Sequence, residues 1–139
     1  MNKRIEAALN DQIQKESSSS QYYLAMASWA ETKGLNGTAK FMYTHSDEER
    51  FHMLKLIKFV NERGGVAVVP AIPEPPREYD SLERVFELLL EHEVGVSESI
   101  NGVVDICLQE KANHYINPIG GMAIYDKQLF ADSEILLNF

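Results

Sequence analysis

The sequence holds a single cysteine, Cys107, in 139 residues. That excludes a disulfide framework and any Cys-x-x-Cys zinc or rubredoxin-type site, and it suits a reducing, cytoplasmic setting. Basic residues are also short: 13 Lys and Arg stand against 21 Asp and Glu, a formal net charge of −8. A polyphosphate backbone would be repelled, so nucleic-acid binding is not expected as the main task. Long apolar runs are missing. The start, Met1-Asn2-Lys3-Arg4-Ile5, lacks the apolar stretch of a signal peptide, and no segment approaches a membrane span. No Ser-His-Asp arrangement and no glycine-rich phosphate loop is legible. What remains is the composition of one ordinary domain, 45% hydrophobic and 24% charged, long enough to bury a core without staples.

Hydrophobic periodicity predicts an all-α chain. Residues 3–33 read as one long helix, with Ile5, Leu9, Ile13, Glu16, Ser20, Tyr23, Ala27 and Ala30 along one face. Ser17 to Ser20 are poor helix formers within it. Lys33-Gly34-Leu35-Asn36-Gly37 is a break, and a second helix is expected to run back over residues 38–63, ending at Gly64-Gly65. The next stretch carries Pro70, Pro73, Pro75 and Pro76 and cannot be helical. Its length suits a crossover up the height of a bundle, so that the next helix starts parallel to the last. Asp80 with Glu83 reads as a capping box opening a third helix to about Lys111. Its inner face would be Leu82, Phe86, Leu89, Glu93, Val96, Ile100, Val103 and Cys107. After a break at Asn117-Pro118-Ile119-Gly120-Gly121, Met122–Phe139 has room for one short helix only.

Each long helix sets one acid inside an otherwise apolar stripe: Glu16, Glu49 and Glu93. A lone buried carboxylate is costly, so such an acid must be paired, protonated or metal-bound. Glu49 and His52 stand three apart in Asp47-Glu48-Glu49-Arg50-Phe51-His52 and share a helix face. Three carboxylates and an imidazole converging in a bundle core form a donor set for iron or manganese, and zinc also fits. Glu49 could bridge two metals. Tyr23, two turns beyond Glu16, is the candidate catalytic side chain, its hydroxyl placed to hydrogen-bond a ligand. Glu48 reads as a solvated charge at the rim of the site. His45, His92 and His114 read as surface or edge residues. Met26, Met42 and Met53 read as core filling, and Cys107 as a small buried hydrophobe.

Several longer phrases make the chain similar to bacterial non-haem ferritin over residues 1 to about 117. They are Leu9-Asn10-Asp11-Gln12 before Glu16, Tyr22-Tyr23-Leu24-Ala25-Met26-Ala27, and Asp47-Glu48-Glu49-Arg50-Phe51-His52. Asn61-Glu62-Arg63-Gly64-Gly65, Pro70-Ala71-Ile72-Pro73 and Leu90-Glu91-His92-Glu93 follow. The resemblance implies a single ferritin-like domain over 1–139, a helical bundle with one long crossover, of the kind that ferritin-like folds themselves exemplify. It also implies a ferroxidase centre in a hollow multisubunit cage that stores ferric mineral. On the family pattern Glu16, Glu49 and His52 bind the first iron. Glu49 bridges to a second iron held by Glu93, Tyr23 stands close by, and Glu48 falls where bacterial relatives have an accessory iron ligand.

The chain departs from that pattern at its end. The family's fourth long helix, carrying Gln-Trp and then Glu-Gln-x-Glu-Glu-Glu, should begin near Asn117, and residues 118–139 are instead an atypical tail. Gly121 to Leu129 is similar to the short tail that follows that helix in some relatives. Without a fourth helix the apolar stripes are expected to lie open on one side, to be covered by Met122–Phe139 or by a partner chain. Homo-oligomers, as a cage or by domain swapping, are therefore expected. The second iron site loses its fourth-helix ligands, and Asp126, Gln128 and Asp132 lack a matching spacing, so weakened or altered ferroxidase activity is expected. The rival reading is a structural subunit that assembles but oxidises little iron. A rubrerythrin-type peroxidase is disfavoured by the single cysteine and the lack of a second Glu-x-x-His. A DNA-protecting mini-ferritin is disfavoured because there is no basic tail and the acids sit within one subunit's stripes.

Overall fold

Helix α1 spans Lys3–Thr32 in the computed structural model, which describes residues 1–110 and, as backbone, two short strands beyond them. Asn2 caps α1: its Oδ1 accepts the backbone N–H of Arg4 at 2.8 Å and of Ile5 at 3.4 Å. Helix α2 covers Asn36–Glu62 and ends in a glycine turn. Gly64 takes φ of 75°, donating its N–H to the Asn61 carbonyl, while Gly65 donates to the Val60 carbonyl. A Cβ on Gly65 would lie 2.9 Å from Val60 Cγ1, so the close approach also requires glycine there.

The proline-bearing segment lies outside any helix or strand and is tied down at both ends. The Asn10 side chain acts as a surrogate strand partner, donating to the Val66 carbonyl at 3.0 Å and accepting from the Val68 N–H at 2.8 Å. At the far end Tyr79 is buried edge-on against Trp29, with ring centroids 5.5 Å apart. Helix α3 then spans Leu82–Gln109. Its cap corrects the expected capping box. Ser81, not Asp80, holds the extended cap position and accepts the Arg84 N–H at 3.1 Å. Glu83 therefore sits one position too early to reach back to the cap, though its charge still favours the helix N-terminus.

Helix α1 is the central element. Both α2 and α3 pack along it, whereas α2 and α3 scarcely approach each other as backbones. Two apolar clusters result. One joins Leu9 and Ile13 to Leu56, Val60, Ile100, Val103 and Cys107. The other joins Tyr23, Met26 and Ala30 to Ala39, Met42, Tyr79 and Val85. Met26 and Met42 are fully buried and Met53 packs on the first cluster, as core filling requires.

The inner face expected for the start of α3 is corrected. Val85 is fully buried there, while Leu82 and Phe86 are 37% and 41% exposed. Since the backbone of α3 packs mainly along α1, its buried stripe narrows toward α1. The ridge Leu82, Phe86, Leu90 and Val94, at steps of four, is left facing outward. The opening is thus on α3, not over the acids of α1 and α2, which are covered.

Beyond α3, strand β1 (His114–Ile116) pairs in parallel with β2 (Leu136–Asn138), His114 opposite Leu136. Leu136–Asn138 is extended, so a helix from Met122 does not run to the C-terminus. The rest of that expected helix, the tail similarity at Gly121–Leu129 and the substitutes Asp126, Gln128 and Asp132 lie outside the described residues.

Candidate metal centre

A polar layer separates the two apolar clusters. On α1, Glu16 falls between Ile13 and Tyr23; on α2, Glu49 falls between Met42 and Leu56. Glu16 is 2% exposed and Glu49 7%, so both carboxylates sit where water does not solvate them. The serines that weaken α1 as an isolated helix have a purpose at this level. Ser20 Oγ donates to the Ser46 carbonyl at 2.8 Å, and Ser46 Oγ donates to the Ser20 carbonyl at 2.7 Å. This reciprocal pair holds α1 and α2 close about one turn from Glu16 and Glu49, a separation that larger side chains would prevent.

One oxygen of Glu16, one of Glu49 and one ring nitrogen of His52 lie within 4.8 Å of one another. His52 Nδ1 is 3.6 Å from both Glu16 Oε2 and Glu49 Oε2. That spacing is long for a hydrogen bond. It is close to the roughly 3.0–3.4 Å between donors that share one cation at bond lengths of about 2.1 Å. Both of those carboxylate oxygens are buried without a hydrogen bond, the condition expected of atoms awaiting a cation. The donor set therefore fits a divalent metal.

The protonation pattern follows from burial. Burial pushes the Glu16 carboxyl up, but the neighbouring His52, Glu49 and Gln12 side chains outweigh it and leave the pKa below the ordinary value. For Glu49 burial dominates, and with the neighbouring Glu16 it lifts the carboxyl to about 8 against the help of His52. Burial opposes the charge on His52, yet the two carboxylates win and raise it to about 10. Near neutral pH the cluster is thus Glu16 anion, neutral Glu49 and imidazolium, with no net charge.

A ferritin-like domain profile matches residues 6–122. The chain belongs to the ferritin family. It is 41% identical over 111 residues to a probable bacterial non-heme ferritin-like protein of Haemophilus influenzae, a match covering 80% of this chain and 67% of that one. The ferritin of Chlorobium tepidum is 37% identical with a TM-score of 0.77, over 80% of this chain and 68% of that one. An open-pore ferritin of the archaeon Archaeoglobus fulgidus is 35% identical with a TM-score of 0.77, over 96% of this chain and 80% of that one. The chain thus spans about two thirds of the length of the first two relatives.

Within this ferritin-family chain the other sequence-predicted residues are placed as follows. Glu93 on α3 is half-buried and stands outside the three-donor group. Tyr23 is fully buried and donates its hydroxyl to Glu93 at 2.8 Å. Burial, then the Glu93 charge, raises the Tyr23 pKa so far that the side chain is a phenol at any working pH. Glu48 is exposed. His92 leans on Tyr22, with centroids 4.8 Å apart, and burial lowers its pKa. His45 stacks on Phe41 at 4.1 Å. Among the described residues no helix is long and apolar enough to cross a membrane.

Sequence reasoning missed two residues, Gln12 and Ser99. Gln12 Nε2 donates to Glu16 Oε1 at 2.7 Å, and Ser99 Oγ donates to Gln12 Oε1 at 2.6 Å. The signal for Gln12 was present, since it stands four residues before Glu16 on the same helix face. None pointed to Ser99.

Proposed function

We propose that this chain is an iron-storage subunit whose Glu16, Glu49 and His52 bind ferrous iron as substrate for oxidation by dioxygen. The observation that carries this reading is the pair of buried, unbonded oxygens, Glu16 Oε2 and Glu49 Oε2, facing the His52 ring. In the oxidation two ferrous ions each yield one electron, and dioxygen takes up both with two protons. The chain's residues have distinct tasks. Glu16 supplies a permanent anion, while Glu49 and His52 surrender protons as the cation arrives, so that a double positive charge replaces two single ones in a dry site. The apolar clusters on either side exclude water. Glu49 would bridge to a second ion held by Glu93, with Tyr23 fixing the Glu93 carboxylate and Glu48 serving as an outlying ligand. Among the described residues Glu93 joins no group of three candidate donors, which supports weakened oxidation. The outward ridge on α3 supports a homo-oligomer as the working form.

Ferrous iron added in air, with ferric-oxo absorbance followed beside Glu49→Ala, tests the reading. Oxidation well above buffer that the variant loses supports it. Oxidation no faster than buffer in both leaves a structural subunit.

A further inference from the structure

A carboxylate ligand can bind through one oxygen or two, and the choice sets how many positions on the ion remain free. For Glu16 the surroundings make that choice. Gln12, itself 2% exposed, donates its amide N–H to Glu16 Oε1 at 2.7 Å. Glu16 Oε2 is left without a hydrogen bond and 3.6 Å from His52 Nδ1. An ionised carboxylate only accepts, so the amide must present its NH2 group to Glu16 and its oxygen elsewhere. That oxygen meets the Ser99 hydroxyl at 2.6 Å. Ser99 lies on α3, beside an open groove between α1 and α3 that Lys15, His92 and Glu98 also line. The relay therefore joins the third helix to a donor on the first.

We infer that Gln12 is a positioning residue, oriented by Ser99, that occupies Glu16 Oε1 and so makes Glu16 a one-oxygen ligand through Oε2. This rests on reading the Glu16, Glu49 and His52 cluster as a metal centre. Without the amide, Glu16 is free to rotate about its terminal bond and offer both oxygens or the wrong one. Without the Ser99 hydroxyl, the amide is free to flip and turn its oxygen toward a carboxylate, which repels it.

Cobalt(II) is the probe, because its visible bands report coordination number and its binding needs no turnover. The comparison uses the full chain as wild type, Gln12→Leu, Ser99→Ala, Ser99→Thr and Glu49→Ala, with the unfolding midpoint of each metal-free protein recorded. Gln12→Leu should weaken cobalt binding by about 10- to 100-fold and shift the visible bands. Ser99→Ala, at a half-buried position that tolerates truncation, should move both in the same direction by less, and Ser99→Thr, which keeps the hydroxyl, should restore them. Wild-type affinity and spectrum in folded Gln12→Leu and Ser99→Ala, with binding still lost in Glu49→Ala, would overturn the positioning role alone. Wild-type protein that binds no cobalt would overturn the metal centre and the relay with it.

Discussion

Replacing Glu49 by glutamine should separate what this buried acid costs the metal-free protein from what it contributes with metal bound. Glutamine copies the size and neutrality of a protonated glutamate. The Glu49 pKa rises from an ordinary 4.5 to about 8 on folding. A raised carboxyl pKa means that the folded state holds a proton that the unfolded chain has released. The stabilisation is complete below about 4.5 and is lost as the pH climbs through about 8. Between about pH 6 and about pH 9 the wild-type protein should lose roughly 3 kcal/mol through this group, at 1.36 kcal/mol per pKa unit. His52, raised to about 10, carries the same sign, and wild type and variant share the part of it that Glu16 causes. Glu16, with its pKa lowered, contributes in the opposite sense, losing stability only toward acid. Urea unfolding in the presence of a chelator, followed by circular dichroism, reads the difference. Glu49→Gln should match wild type only below about pH 4.5, exceed it by about 2 kcal/mol near pH 6 and by about 5 kcal/mol near pH 9, so that the gap widens by about 3 kcal/mol. Added zinc should reverse the order at the higher pH, because only the wild type gains from binding. A constant gap between the two proteins at both pH values would refute the reasoning.

Three further outcomes follow from the same geometry. Because Glu49 and His52 both hold protons near neutrality, zinc binding at about pH 7 should release about two protons, and affinity should fall roughly 100-fold per pH unit toward acid; indicator dye in weak buffer counts the protons, and release near zero refutes the protonation pattern. Tyr23→Phe removes the bond to Glu93 and should cost about 1–2 kcal/mol in thermal or urea unfolding, with a loss near zero showing that Glu93 finds an equivalent partner. Asp at both Phe86 and Leu90 should lower the assembly state in light scattering while leaving helix content intact, whereas unchanged mass would place the subunit contact elsewhere.

Much of this was legible in the sequence because it is local. The apolar repeats place three helices to within about two residues of their observed ends, and the glycines after Lys33 and Arg63 mark two of those ends. Glu16, Glu49 and His52 announce themselves as polar residues inside apolar stripes. Two errors on α3 have one source. Periodicity shows that a stripe exists but not where a neighbour stands: it sets Leu82 and Phe86 inward, whereas packing buries Val85 and leaves those two more than a third exposed. The cap moved from Asp80 to Ser81 because both residues can cap, and the crossover's approach to Trp29 decides where the helix starts.

The sequence alone determined the three long helices, the crossover, the candidate donor residues and the ferritin family, since each depends on residues a few positions apart or on phrases that are specific as written; the pairing of β1 with β2 was not legible in it. Only the tertiary structure decided which donors meet. It separated Glu93 from the three-donor group and tied it to Tyr23, and it gave Ser20 and Ser46 their shared bonds. It also set the protons, because a carboxyl's charge depends on how much water and which neighbours surround it, and those neighbours come from other helices. Gln12 could be read as a neighbour of Glu16 along one helix face; Ser99, 87 residues away, could be found only where α3 packs onto α1.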